Sequence, residues 1–165
     1  MPNWCSNSFT VSHEDAAMIT KFAEAFKAGN LVDTFIPLSS GEWDYGTAVE
    51  EWGTKWDING GDISVDPDGK SASGWFDTAW GPATEAYSKF YDLGFDIDVL
   101  YHEPGMCFAG HFTDGEDYCT EYDFSDDNWR DNIADEDLLD LLESEYENWL
   151  EWNSENEEEE DGSDK

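Results

Sequence analysis

Two cysteines and two histidines in the second half of the chain have the chemistry to bind a metal ion. Zinc is usually held by four converging cysteine sulfur or histidine nitrogen ligands. Cys107 and His111 stand at an even spacing, so they would share one side of a strand, and His102 and Cys119 would complete the set. The spacings match no CxxC or HxxxH pattern, so we predict ordinary sheet residues, no metal and no cofactor.

The segment around Asp66, Asp68 and Gly69 resembles part of a calcium-binding loop. The EF-hand template would place its first ligand at Ser64 and its bidentate glutamate at Trp75, so two strong ligands are missing. Proline and glycine in the same segment favour a tight turn. We therefore predict a turn between two strands.

Cys5 and His13 are candidates for a nucleophile and its general base. Surrounding carboxylates would raise the pKa of the thiol, which disfavours the reactive thiolate. Paired carboxylates occur throughout the chain and so identify no glycosidase site. The sequence contains no GxSxG motif, P-loop or dinucleotide fingerprint. We predict that the protein is not an enzyme.

Net charge excludes several classes of partner. The 165 residues contain 7 Lys and Arg against 41 Asp and Glu, a net charge of −34. Such a chain is repelled by nucleic-acid phosphates and by anionic lipid, so we expect it to bind neither nucleic acid nor membrane directly. Hydrophobic residues make up 39% and aromatic residues 16%, which is enough apolar surface for one folded core.

The negative charge is concentrated toward the C-terminal end. Residues 114–165 contain 23 acidic and 2 basic residues, whereas residues 1–113 contain 18 and 5. B-DNA carries one phosphate charge per ~1.7 Å of axis, so an excess of 34 charges corresponds to ~58 Å of duplex, or ~17 base pairs. The acidity could therefore mimic nucleic acid, or it could serve solubility alone.

The predicted partner-binding residues lie in this acidic segment. Exposed aromatic side chains among carboxylates are typical of protein interfaces, because the ring supplies buried area and the charge speeds association. Trp129 and Trp149 are the predicted aromatic anchors, while at least one of Trp75 and Trp80 should be core. The predicted carboxylates are Asp126, Asp127, Asp131, Asp135, Glu136, Asp137, Asp140, Glu143 and Glu147.

The hydrophobic period alternates between two and about 3.6 residues, which indicates strands interleaved with helices. One predicted helix begins after an N-cap at Ser12 and ends at Gly29, and a second runs from Pro82 to Gly94. The order predicts an α+β fold: a ferredoxin-like split βαβ antiparallel sheet with two covering helices, extra C-terminal strands and an acidic C-terminal helix at 133–152.

The chain divides into three predicted parts: an α+β domain at 1–125, an acidic amphipathic helix within 126–152 and a disordered acidic tail at 153–165. The N-terminal segment lacks the basic and apolar regions of a secretory signal, and three cysteines are an odd number for a disulfide framework. We expect reduced thiols, a cytoplasmic location in a host cell and an unknown oligomeric state.

Four separated motifs carry a resemblance to a known family. They are MPNWCSN at 1–7, WGTKWD at 52–57, FDTAWGP at 76–82 and YHEPG at 101–105 followed by FAG at 108–110. In this order they resemble the YubB-type ferredoxin-like domain family of phages and plasmids, over residues 1 to about 115. The resemblance implies a ferredoxin-like sandwich and a mobile-element origin, but no activity.

The resemblance and the charge together suggest a phage-encoded anti-defence inhibitor. It would bind a basic host protein that acts on nucleic acid, such as a restriction enzyme, a nuclease or a nucleic-acid-modifying toxin or defence factor. The alternative is a non-catalytic interaction module whose sheet binds a partner, with the acidic tail serving solubility.

Overall fold

A computed structural model describes residues 3–58 and 60–163 of the chain. Its six strands are β1 (Trp4–Ser12), β2 (Asp62–Val65), β3 (Ser71–Ala79), β4 (Asp96–Glu103), β5 (Phe108–Thr113) and β6 (Glu116–Glu121). Its α-helices are α1 (Ala16–Ala28), α2 (Leu31–Phe35), α3 (Tyr45–Trp52), α4 (Thr84–Asp92) and α5 (Glu136–Ser163), and one 3-10 turn spans Trp129–Asn132. The strands form one antiparallel sheet in the order β2-β3-β1-β4-β5-β6. The predicted α+β class is confirmed.

Strand β1 lies inside the sheet, between β3 and β4, and its side chains alternate strictly between buried and outward-facing. Cys5, Asn7, Phe9 and Val11 are buried, whereas the residues between them face the other side of the sheet. The strand pairs with β3 along its whole length and with β4 on its other edge. This alternation fixes the register, since a shift of one residue would expose all four buried side chains.

Helices α1 and α4 cover the buried side of β1 and its neighbours. We call the cluster between these helices and the sheet the main core. Phe9 packs against Phe22 of α1 at 6.2 Å between ring centroids and against Phe76 of β3 at 5.5 Å. Phe22 also contacts Phe90 of α4 at 5.4 Å. Aromatic rings from both helices and the sheet therefore interlock in one cluster.

Helix α1 begins later than predicted. Ser12 is the last residue of β1, and Asp15 is the N-cap, because its carboxylate accepts a hydrogen bond from the backbone N–H of Ala17 at 3.0 Å. The predicted end at Gly29 is confirmed, since this glycine adopts φ +79°. Helix α4 begins at Thr84, after Pro82 rather than at it.

The predicted turn at Asp66, Asp68 and Gly69 is confirmed, and a second tight turn joins β5 to β6. Between β2 and β3, the N–H of Gly69 donates to the carbonyl of Asp66 at 2.9 Å, and the carboxylate of Asp68 accepts from the N–H of Lys70. Asp114 and Gly115 join β5 to β6 with φ values of +52° and +79°. Two successive residues at positive φ match the twist of a two-residue hairpin.

Helix α5 is longer than predicted and lies on the other side of the sheet. It begins at Glu136 and continues to Ser163, beyond Trp152 and into the segment that we expected to be disordered. Glutamate favours helix, and no proline interrupts this stretch. Asp164 and Lys165 lie outside the described residues. Among the described helices, none is long and apolar enough to cross a membrane.

Candidate protein-binding surface

Helix α5 is fixed to the sheet by an apolar stripe. Leu138 and Leu142 are buried against Ala109 of β5, together with Trp129, and we call this cluster the second core. Tyr146 and Trp149 extend the stripe and are half-buried. The spacings of four, four and three residues place these side chains on one face of the helix, so the opposite face of α5 is directed to solvent.

The prediction of Trp129 as an exposed anchor is wrong. Its side chain is only 5% exposed and packs against Phe124 and Tyr146, with ring centroids 5.1 and 5.4 Å away. The 3-10 turn directs this side chain inward, a geometry that charge density alone does not reveal. Trp129 therefore holds α5 to the sheet rather than contacting a partner.

Part of the Trp149 side chain is available for contact with a partner, because the residue is only half-buried. One face stacks on Tyr146 at 5.8 Å with an interplanar angle of 18°, and the ring also contacts Phe124 at 6.0 Å. Trp152, one turn further along α5, is 63% exposed. Trp149 and Trp152 lie next to each other by helical spacing, so the exposed aromatic surface of α5 is at these two residues.

Asp135 does not point freely to solvent. Its carboxylate caps α5 by accepting from the N–H of Leu138 at 2.9 Å, and it also lies 2.7 Å from Nδ1 of His111 on β5. Partial burial of Asp135 acts to raise its pKa, but these two hydrogen bonds outweigh burial and lower it. Asp135 is thus a structural residue that fastens the start of α5.

His111 bridges two carboxylates and is 4% exposed. Its Nε2 atom lies 2.7 Å from Asp98 on β4, while Nδ1 bonds to Asp135. Burial acts to lower the pKa of His111, but the two carboxylates outweigh burial and raise it. His111 therefore clamps β4, β5 and α5 together most strongly when it is protonated.

Glu143 is also engaged within the molecule. Arg130 donates from Nε and Nη2 to its carboxylate, the second bond at 2.9 Å. These bonds lower the pKa of Glu143 and raise that of Arg130. The guanidinium lies 4.3 Å from the ring centroid of Trp129 and 4.9 Å from that of Tyr146. The charge of Glu143 is neutralised at short range.

The other seven predicted carboxylates are exposed. Four belong to α5, two precede the 3-10 turn and one lies within it. They are Asp126, Asp127, Asp131, Glu136, Asp137, Asp140 and Glu147. Glu136, Asp140 and Glu147 lie on the face of α5 opposite the apolar stripe, and Glu151 continues the row by helical spacing.

Carboxylates along α5 approach the axial spacing of phosphates. Nine Asp and Glu residues lie between Glu136 and Glu157. A rise of about 1.5 Å per residue gives one carboxylate per ~3.5 Å of helix axis. One strand of B-DNA carries a phosphate every ~3.4 Å. Counted around all its faces, α5 therefore carries carboxylates at an axial density similar to that of phosphates on one strand of a duplex.

The four residues considered as zinc ligands do not converge. Nε2 of His102 bonds to the hydroxyl of Tyr122, and His111 bonds to its two carboxylates. Cys107 lies before β5 in a turn, and Cys119 faces the other side of the sheet from His111. Among the described residues, His111, Asp135 and Asp137 hold possible ligand atoms within 4.8 Å of one another. Both nitrogens of His111 are already bonded, so we assign this cluster no metal.

Cys5 and His13 are also far apart. Cys5 lies at the start of β1 and His13 follows its end, so the extended strand separates them by about 25 Å. Cys5 is fully buried, and burial raises the pKa of its thiol to about 12. His13 accepts from the N–H of Asp15 at 3.0 Å. The pair cannot act as a nucleophile and its base.

Half of the outer side of the sheet is open to solvent. Trp4 of β1 is 48% exposed and Trp75 of β3 is 51% exposed on this side. Trp80 is exposed as well, because it follows β3 with φ +70° and lies outside the strand. The expectation that Trp75 or Trp80 belongs to the core is therefore wrong. Helix α5 covers only the other half of this side.

A scan against protein-family models found no matching family, and searches of curated proteins and of solved structures found no match. The resemblance to YubB-type domains stays a prediction from the four motifs. The function must therefore be argued from the surface chemistry of this chain.

Proposed function

We propose that the protein is a non-catalytic, phage-encoded anti-defence inhibitor. It binds a basic host protein that acts on nucleic acid and excludes the nucleic acid from that protein's binding groove. The observation that carries this proposal is the density of carboxylates around α5, whose average axial spacing is close to that of phosphates on one DNA strand. The second core docks the first turns of α5 on the sheet, so the carboxylates there are ordered before a partner binds and less conformational entropy is lost.

The charge of α5 is available to an external cation. Of its nine carboxylates between Glu136 and Glu157, only Glu143 is in a salt bridge among the described residues. Counter-ions condensed on such a row are released when a basic protein binds, as they are from DNA. Association should therefore be fast at low salt and weaken steeply as salt rises.

A ferredoxin-like topology for the inner part of the sheet belongs to the same proposal. The four strands β2-β3-β1-β4 are adjacent, α1 precedes β2, and α4 connects β3 to β4. We infer a split βαβ unit to which β5, β6 and α5 are added at one edge. In this arrangement the acidic helix is an addition to a simpler domain.

Capture experiments test the mimicry. Tagged full-length protein is immobilised, exposed to lysate of phage-infected bacteria and washed between about 0.05 and 0.5 M NaCl. We expect a basic nucleic-acid-binding protein to be retained at low salt, released at high salt and displaced by duplex DNA. The quadruple variant Glu136→Gln, Asp140→Asn, Glu147→Gln and Glu151→Gln should release it at lower salt.

A matched control variant separates the charged row from net charge. Glu14→Gln, Glu24→Gln, Glu50→Gln and Asp92→Asn remove the same charge from exposed positions outside α5. The control should retain the captured protein nearly as the parent does. If both variants weaken retention of the captured protein equally, the effect is due to net charge alone. If duplex DNA does not displace the captured protein, the mimicry is refuted.

The open half of the sheet favours a second candidate function. Trp4 and Trp75 expose large apolar area among the small polar side chains of β1 and β3. Tryptophan is enriched among the residues that dominate binding at protein interfaces. In this alternative the sheet binds a partner and the acidic helix serves solubility. Trp4→Ser with Trp75→Ser would then abolish capture, whereas the quadruple carboxylate variant would leave it intact.

A further inference from the structure

A groove lies between α5 and the segment that follows β6. Four aromatic side chains and two carboxylates line it: Tyr122, Phe124, Trp149, Trp152, Glu145 and Asp123. The ring centroids of Tyr122 and Phe124 are 4.5 Å apart, and those of Phe124 and Trp149 are 6.0 Å apart. The groove therefore combines π-faces with negative charge.

Tyr122 is fixed in place by His102. Nε2 of His102 lies 2.5 Å from the Tyr122 hydroxyl, within hydrogen-bond distance, and burial lowers the pKa of His102. This bond holds the aromatic wall formed by Tyr122 and Phe124 before any partner arrives. Because the wall is ordered in advance, less conformational entropy is lost when a ligand binds to it.

The carboxylates give the groove a negative potential. Glu145 is half-buried and close enough to act electrostatically on both His102 and Tyr122. Asp123 is exposed and held by hydrogen bonds from the N–H and the hydroxyl of Ser125. Among the described residues that line the groove there is no lysine or arginine. The site thus attracts cations and has no internal counter-charge.

The surroundings of Arg130 show what such a site holds. Its guanidinium lies over the rings of Trp129 and Tyr146 and pairs with the carboxylate of Glu143. The groove repeats this combination on the neighbouring turns of α5, with Trp149 and Trp152 as rings and Glu145 as the carboxylate. The same helix therefore builds two sites of similar chemistry, and only one contains its own arginine.

We propose that this groove binds an arginine side chain from a basic segment of the partner protein. The inference rests on the proposed function, which supplies a basic partner, and adds the point where that partner is anchored. A planar guanidinium can stack on Trp149 or Trp152 while it donates two hydrogen bonds to Glu145. Lysine would pair with the carboxylate but could not stack in this way, so the groove selects arginine.

Peptide binding to the full-length protein tests this selection. The probes are two fluorescein-labelled peptides. One alternates glycine with arginine, and the other alternates glycine with lysine. Their binding is measured by fluorescence anisotropy at about 0.1 M NaCl. The parent should bind the arginine peptide several-fold more tightly. Trp152→Ala should weaken arginine binding by about 5-fold and remove the preference over lysine. Glu145→Gln should weaken both peptides by about 3-fold.

Two exposed residues outside the groove give matched controls. Trp75→Ala lies on the open half of the sheet, and Glu24→Gln lies at an exposed position of α1. Both should keep the preference for arginine. Circular dichroism verifies that each variant is folded. The inference is overturned if the parent does not prefer arginine, or if Trp75→Ala reduces the preference as much as Trp152→Ala.

The groove and the charge mimicry can fail separately. If the quadruple carboxylate variant loses the captured protein while Trp152→Ala and Glu145→Gln bind peptides like the parent, mimicry stands and the groove is refuted. If arginine preference depends on Trp152 but duplex DNA never displaces a captured protein, the groove stands and the proposed function is refuted.

Discussion

The two hydrophobic clusters of the molecule are built on different principles. The main core is formed by apolar side chains, among them phenylalanines from β1, β3, α1 and α4. The second core has four buried residues and is flanked on one side by His111 with its two carboxylates and on the other by Arg130 with Glu143. The comparison shows that the acidic helix is attached by a small core and polar clamps, whereas the domain beneath it is held by packing.

This difference implies a hierarchy of stability. Burial of apolar area scales with cluster size, so the main core should dominate the free energy of unfolding. The second core should open first, because fewer contacts hold it. Substitutions in each cluster test this hierarchy, because the expected loss of stability decreases from the main core to the exposed ion pair of Arg130 and Glu143.

The largest effect is expected from Phe22→Ala in the main core. Phe22 is 1% exposed and contacts rings from β1 and α4, so its removal leaves a cavity and should cost about 4 kcal/mol of unfolding free energy. Urea denaturation measures the loss. Met106→Ala, at an exposed position, should cost below about 0.5 kcal/mol. A smaller loss at Phe22 than in the second core would invert the hierarchy.

The next effect is expected from Leu142→Ala in the second core. Leu142 is fully buried, and its loss should destabilise the docking of α5 by about 3 kcal/mol. Amide hydrogen exchange should then accelerate in α5 while β1 keeps its protection. The control Leu150→Ala removes an exposed leucine of the same helix and should change neither. Equal loss of protection in α5 and β1 would mean that the two clusters unfold as one unit.

A smaller, pH-dependent effect is expected from His111→Gln. The raised pKa means that protonated His111 stabilises the fold, an effect fully present below the ordinary value of 6.5 and lost as pH rises through the higher folded-state pKa. The variant should therefore lose about 2 kcal/mol at low pH and less at high pH. Thermal melts from pH 5 to 9 measure this difference. A difference that grows with rising pH would contradict the assigned clamp.

The smallest effect is expected from Arg130→Met. The ion pair with Glu143 is partly exposed, so salt should weaken it, and the methionine keeps part of the packing on Trp129. The midpoint of thermal unfolding should fall less than in His111→Gln, and the difference should shrink at high salt. Arg130→Lys should lie between the parent and the methionine variant. A salt-independent loss would show that packing, not charge, is what Arg130 contributes.

Strict alternation makes the sheet predictable from sequence. The pattern of β1, the glycine at the end of α1 and the turn at Asp114-Gly115 each have a local physical cause that the residues themselves display. The first residue of α1 is harder to predict from sequence. Both Ser12 and Asp15 can cap a helix, and only the extent of β1 decides between them.

The candidate site was less predictable because its geometry is tertiary. Apolar residues at helical spacing correctly indicate an acidic C-terminal helix, but neither they nor the charge density show that Trp129 turns inward or that Asp135 and Glu143 have partners. Asp98 was missed altogether, since nothing in the sequence links it to His111. The groove beside Trp152 was missed for the same reason, although Tyr122, Phe124 and Trp149 are each visible as aromatic residues of amphipathic segments.

The length of α5 has a consequence for the rate of encounter with a partner. Among the described residues, the last ring contact that docks α5 is that of Trp149 with Phe124. The helix continues to Ser163, about 20 Å further along its axis. That distance exceeds two Debye lengths at physiological ionic strength, each about 8 Å. Under the proposed function, the extension would enlarge the distance over which a partner is captured, because a cationic protein would be attracted and oriented along the helix before it reached the docked turns.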